Sequence, residues 1–149
     1  YVPSLGAEKK IIIDNVRDIL KRATRPMTVL DPGCGSGGLI IKLAKEFPEH
    51  KFIGIEWSKF ASKFATFKTR KRKNVTIVCQ DMFEYDFSKA DIIVCFLMDT
   101  LMEKFGEKVL QDNNLSNPTN SSSFIGLNLY DNGCCIKSLL NLKYYIMKY

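Results

Sequence analysis

The chain is poor in the residues that most often build a metal centre or a nucleophilic site. It has one histidine, His50, and one tryptophan, Trp57, in 149 residues. Its five cysteines, Cys34, Cys79, Cys95, Cys134 and Cys135, include no C-x-x-C pair. No zinc site or disulfide framework is therefore expected, and a reducing, cytoplasmic setting fits this usage. Cys79 and Cys95 fall in apolar runs and read as small core residues. No stretch reaches the roughly 18 consecutive apolar residues that a membrane-spanning helix needs. Five prolines and nine glycines are too few for a collagen-like or low-complexity chain. Acidic residues are outnumbered 16 to 22 by Lys and Arg, a formal net charge of +6. That excess permits RNA or an anionic membrane surface as partner without demanding either. An initial methionine is also absent. A start at Tyr1 suggests a trimmed chain, and a removed anchor would make the protein membrane-associated.

What remains is ordinary globular composition, 46% hydrophobic and 26% charged, in a length suited to one domain with one core. Residues 8–22 predict an amphipathic helix with Ile11, Ile12, Val16, Ile19 and Leu20 on its inner face. Met27–Leu30 is a short apolar run, read as a buried strand. A glycine-rich turn follows, then a helix carrying Leu39, Ile40, Leu43, Ala44 and Phe47 and closed by Pro48. Lys51–Glu56 predicts a second strand. Residues 58–70 predict a third helix with Phe60, Ala61, Phe64 and Phe67 inward. Val75–Cys79 and Ala90–Leu97 predict two more strands, the last apolar enough to be covered on both faces. A helix is expected over 100–110. Strands alternating with helices point to βαβ units and a parallel sheet. The fold class expected is α/β, a Rossmann-like doubly wound sheet of strand order 3-2-1-4-5.

The last 39 residues differ, with seven Asn against two in the first 110 and only five charged residues. The whole of 1–149 reads as one domain: a core over 1–110, a polar linker at 111–122 and an atypical edge at 123–149. Residues 123–130 are expected to pair with the fourth strand as a parallel fifth, and 134–149 to form only part of a terminal hairpin.

The strongest local signal is a strand, then Asp31-x-Gly33-x-Gly35-x-Gly37, then a helix. Glycines let the backbone turn sharply and let a ligand come close, and a helix N-terminus presents free N–H groups. Gly33 to Gly38 also satisfies G-x-G-x-x-G. Glu56 ends the second strand 23 residues after Gly33, where an acid binding ribose hydroxyls belongs. The pattern admits a dinucleotide or S-adenosylmethionine. Asp31 favours the second, since it suits a cationic ammonium or sulfonium and repels a pyrophosphate. Gln80-Asp81-Met82 after the third strand adds an acid able to accept from an adenine amino group; the plain alternative is that Asp81 caps a turn.

On these residues the chain resembles the class I S-adenosylmethionine-dependent methyltransferases. Val29-Leu-Asp-Pro-Gly-Cys-Gly-Ser-Gly37 is similar to that superfamily's first motif, Ile55-Glu56-Trp57 to its second and Cys79-Gln-Asp81-Met82 to its third. The resemblance implies S-adenosyl-L-methionine as cofactor. It implies Gly33, Cys34 and Gly35 beside the methionine part, Glu56 on the ribose, Asp81 and Met82 at the adenine and Trp57 beside the adenosyl ring. More narrowly, Tyr1-Val-Pro-Ser4 and Phe96-Leu-Met98 are similar to the ATP-synthase c-subunit lysine methyltransferase family and its bacterial relatives. Those are membrane-associated protein-lysine N-methyltransferases, many with an N-terminal hydrophobic anchor. A protein lysine is then the expected acceptor. The chain departs from that family at Ser36, where a second acid is usual, and in its tail.

The binding set expected is thus Asp31, Gly33, Cys34, Gly35, Gly37, Glu56, Trp57, Asp81 and Met82, with no metal and no side chain singled out as catalytic. Asp99 suits an N-cap better than an amine-orienting role. The run Lys68–Lys73 suits a solvated helix end, with RNA or anionic lipid as its functional alternative. His50, beside Pro48, reads as exposed.

Overall fold

The computed structural model describes residues 4–97, 104–105, 107–108, 111–112, 125–129, 134–139 and 142–148. Helix α1 spans Ser4–Arg22, strand β1 Thr28–Pro32, α2 Gly38–Glu46, β2 Lys51–Glu56, α3 Lys59–Thr69, β3 Val75–Cys79 and β4 Ile92–Leu97. Three further strands follow: β5 Ile125–Leu129, β6 Cys134–Leu139 and β7 Leu142–Lys148. They form one sheet of order β3-β2-β1-β4-β7-β6-β5. The pairs β2–β3, β1–β2, β1–β4 and β4–β7 are parallel; β6 pairs antiparallel with β7 and β5.

The expected order 3-2-1-4 is present and the expected fifth place is not. Residues 125–129 do form a strand, but at the far edge, and β7 pairs with β4 instead, from Ile92↔Lys143 to Leu97↔Lys148. Composition accounts for the exchange. The β7 sequence LKYYIMK holds aromatic and β-branched residues that pack well in a sheet interior, whereas IGLNL carries Gly126 and Asn128, poor strand formers suited to an edge. The hairpin expected to be partial is present as β6 and β7. Gln111 and Asp112, expected to open a linker, are helical, and Asp112 accepts the Phe87 N–H at 3.0 Å; residues 113–122 lie outside the described residues.

Side chains alternate across the strands, so the sheet has a core on each face. Val29, Ile92 and Val94 point to one face, where they meet Ile13, Val16 and Leu20 of α1 and Leu39, Ile40, Leu43 and Ala44 of α2. Leu30, Ile55 and Ile93 point to the other, with Phe87, Ala90 and Phe105. Tyr85, Phe87 and Phe105 meet edge to face, with ring centroids 5.3 Å apart in each successive pair. Arg17 ties α1 to α2 through a two-pronged ion pair with Glu46, both contacts 2.6 Å. No described helix is long and apolar enough to cross a membrane.

One side-chain expectation is extended and two are reversed. Val16 and Leu20 of α1 are buried as expected. In α1 the buried residues include Ile13, which the expected face omitted; the side chains of Ile11 and Ile12 lie outside the description. In α3 the phenylalanines face out: Phe60 is 85% exposed, Phe64 51% and Phe67 61%. Ser62, Ala65 and Thr69 face the sheet instead. Small residues let the helix lie close, and their hydroxyls are satisfied within it, Ser62 by the Lys59 carbonyl and Thr69 by the Ala65 carbonyl. His50 is buried, not exposed. Its Nδ1 accepts the Met27 N–H at 2.9 Å and its Nε2 donates to the Leu20 carbonyl at 3.2 Å, joining the end of α1 to the start of β1.

Candidate functional site

The order of the sheet reverses between β1 and β4. Their ladder runs only through Val29↔Ile92 and Leu30↔Ile93, while β1 stays paired with β2 through Pro32. Asp31 and Pro32 thus pass beyond the pairing with β4, at the switch point where open α/β sheets form a crevice beyond their strand ends. The chain then turns through Gly33, Gly35 and Gly37, at φ 72°, 54° and 73°. L-residues with a Cβ rarely adopt that region, which explains three glycines at alternate positions. The turn is pinned to β2: the N–H groups of Gly33 and Cys34 both donate to the Ile55 carbonyl, at 2.7 and 3.1 Å. Gly37 caps α2 without a side-chain hydrogen bond, so the first N–H groups of that helix face the turn.

Glu56 holds this arrangement together. One carboxylate oxygen accepts the Gly35 N–H and the other the Ser58 N–H, both at 2.9 Å, so one buried acid joins the glycine turn to the start of α3. Asp31 is buried as well. Both acids bear on Cys34, and together with burial, the largest cause, they push its thiol up to about 12. Cys34 is therefore a neutral thiol at any working pH, not a nucleophile.

Gly54, which the motif reading passed over, completes the packing. A Cβ there would lie 2.7 Å from Cys34 Sγ, 2.8 Å from Ile40 Cδ1 and 3.0 Å from Ile77 Cδ1. A glycine inside an otherwise apolar strand is the signal that could have found it, because it marks a close approach of another segment.

A cavity of about 390 Å³ opens beside the turn. It is lined by Gly33, Ile55, Glu56, Trp57, Gln80, Asp81, Met82 and Phe83, from the ends of β1, β2 and β3. None of these is basic. Five of the nine residues expected from sequence therefore share one cavity. The other four, Asp31, Cys34, Gly35 and Gly37, belong to the turn and do not line it. Asp81 does cap a turn, accepting the Phe83 N–H at 2.9 Å through Oδ1. Trp57 is 78% exposed at the rim. Cys79 is exposed rather than buried, since β3 is the sheet's edge strand. Met98 and Asp99 lie outside the described residues, as do the side chains of Cys95, Phe96 and Leu97.

A larger hollow, about 680 Å³, lies at the opposite end of the sheet between α1 and the starts of β1 and β4. Arg25 and Asp91 pair across it, and Asp91 also accepts the Thr28 N–H. None of the expected residues lies there, and strand starts are not where such sheets bind ligands. Among the described residues no group of three or more His, Cys, Asp or Glu is placed to hold a metal.

Comparison with known proteins gives a consistent set. Residues 31–120 match the model of the ANTKMT methyltransferase domain. A protein-lysine N-methyltransferase from Saccharolobus islandicus is 29% identical over 114 residues, 73% of this chain and 68% of that protein. Among solved structures, an RNA methyltransferase from Salinibacter ruber in complex with S-adenosyl-L-homocysteine superposes at TM-score 0.58. It has 22% identity and is matched over 69% of this chain and 68% of its own. PKMT2 from Rickettsia typhi, in complex with AdoHcy, superposes at TM-score 0.51 with 27% identity, over 59% of this chain and only 18% of that one.

Proposed function

The chain belongs to the ANTKMT methyltransferase domain family, with S-adenosyl-L-methionine as cofactor, and from that premise we propose that it transfers a methyl group to a lysine amine of a protein. One observation carries the placement of the cofactor. Five of the nine residues expected from motif spacing line a single cavity at the switch point, whose lining carries the acids Glu56 and Asp81 and no basic side chain. The pyrophosphate of a dinucleotide would face Glu56 and Asp81 there; a ligand with an ammonium and a sulfonium would not be repelled.

The residues present suit that ligand. A carboxylate has about four lone-pair positions. Glu56 uses two on Gly35 and Ser58 and keeps capacity for the two ribose hydroxyls. Gly33, Cys34, Gly35 and Gly37 bring main chain rather than side chain to the methionine part, with Asp31 toward its ammonium. Asp81 and Met82 meet the adenine, and Trp57 covers it from the rim. When bound, S-adenosylmethionine supplies a methyl carbon made electrophilic by the attached sulfonium. The contribution of the chain is to orient that ligand and keep water from it.

The acceptor reading rests on the Saccharolobus relative, a protein-lysine N-methyltransferase. A free lysine amine is almost wholly protonated at neutral pH, so its nitrogen becomes a nucleophile only after losing that proton, which an apolar entrance would favour. Incubating the full chain with methyl-labelled cofactor and either a lysine-rich protein or mixed RNA tests this. Label on protein lysines supports it; label on RNA alone overturns it.

A further inference from the structure

The outer face of α3 is built like a surface that enters lipid. Phe60, Phe64 and Phe67 sit at i, i+4 and i+7, on the side of the helix opposite Ser62, Ala65 and Thr69, which pack on the sheet. Their exposures are 85%, 51% and 61%, so three large aromatic residues share one exposed helix face. Lys59, Lys63, Lys68 and Arg70 flank the stripe, and Lys71, Arg72 and Lys73 continue past its end. From Trp57 to Gln80 the chain holds seven Lys and Arg and no acid. A second copy of this face would meet seven like charges.

We infer that the Phe60-Phe64-Phe67 face of α3 docks on an anionic lipid bilayer, its rings entering the interface and its cations meeting the headgroups. An amphipathic helix with aromatic residues on one side and Lys or Arg along its borders seats in that way, about 5–10 Å deep. Nucleic acid fits the same charge but not the same rings. The Arg70 guanidinium lies 3.9 Å from the Phe67 ring centroid and Lys68 Nζ 5.6 Å from that of Phe64, so a base would compete with a cation for one face of each of these two rings.

The test uses the full chain, sedimented with vesicles of phosphatidylcholine alone or with about a third phosphatidylserine. Trp57, the only tryptophan, reports contact through its emission. The expected result is binding to the anionic vesicles only, weakened by salt, with a blue shift of the emission. Phe64→Ser with Phe67→Ser should lower partitioning about tenfold or more. Phe64→Leu with Phe67→Leu should restore it, because a bilayer needs apolar volume rather than a ring. Both substituted positions are exposed, so unchanged melting temperatures verify that the variants are folded. Absence of binding to anionic vesicles at low salt overturns the inference. So does serine-variant binding equal to the parent, which would reduce the surface to charge alone. Binding of single-stranded RNA that falls equally with Ser and Leu, without vesicle binding, would assign the face to base stacking and overturn it as well.

Discussion

Gly54→Ala tests the packing under the glycine turn. The added methyl would stand 2.7 Å from Cys34 Sγ, 2.8 Å from Ile40 Cδ1 and 3.0 Å from Ile77 Cδ1, all shorter than real Cβ contacts allow or at that limit. Overpacking of this kind costs about 1–3 kcal/mol. Replacing a strand glycine by alanine recovers about 0.5–1 kcal/mol of backbone entropy. At mid-range the clash wins, with a net loss of about 1 kcal/mol, or a melting temperature lower by about 2–4 °C at this chain length. Cys34 Sγ is the nearest neighbour and belongs to the turn, so the added methyl presses on the turn through that side chain. The affinity for S-adenosylhomocysteine should then fall with the stability. Removing the sulfur in Gly54→Ala/Cys34→Ala should return part of both, a coupling of about 0.5 kcal/mol or more. Calorimetric titration and thermal melting of the parent, both single variants and the double variant complete the cycle. An unchanged melting temperature and affinity in Gly54→Ala, or strict additivity in the double variant, would refute the packing argument.

Glu56→Gln should cost about 2–3 kcal/mol, because an amide offers one acceptor where Gly35 and Ser58 each need one; chemical denaturation measures it, and a neutral variant would detach Glu56 from the turn. Site-resolved alkylation at about pH 8 should label exposed Cys79 well ahead of Cys34, whose thiol is held up at about 12 by burial and by Asp31 and Glu56; faster labelling of Cys34 contradicts that environment. Glu46 is held below the usual carboxylate range by Arg17, so its contribution is complete above that range and is lost as pH falls through the lowered value. Melting curves of the parent and Arg17→Met should therefore converge toward acid below about pH 4, and a constant gap would show that the ion pair is not the source. His50→Ala should lower the melting temperature by leaving the Met27 N–H and the Leu20 carbonyl without their partner; no change would show that water replaces the ring.

The parallel half of the sheet was legible because its strands are short apolar runs separated by helical periods and turn residues. Strands β2 and β3 match the expected ranges, and the acid at the end of β2 was placed by spacing alone. The errors share a cause, since they concern which face or edge an element presents. Three phenylalanines at helical spacing look like a core stripe. Yet α3 lies on the sheet through Ser62, Ala65 and Thr69, and the hydroxyls of Ser62 and Thr69 donate to carbonyls of their own helix, which makes an apparently polar stripe cheap to bury. His50 has no pattern around it to reveal that the Leu20 carbonyl and the Met27 N–H converge on its ring from distant segments. In the tail three short apolar segments compete for the open edge of β4, and the choice of β7 depends on pairing over long separations that no local window contains.

The central claim is that the cavity bounded by Gly33, Glu56, Trp57, Asp81 and Met82 takes S-adenosylmethionine rather than a dinucleotide. Thermal melting of the full chain with S-adenosylhomocysteine and, separately, with NAD tests it most directly. At about a hundred times its dissociation constant a ligand of the native state contributes about 2.7 kcal/mol, a rise of about 5–11 °C at this size. The account predicts that rise with S-adenosylhomocysteine, its loss in Asp31→Ala, and no rise with NAD; a rise with NAD alone, or with neither ligand, would contradict it.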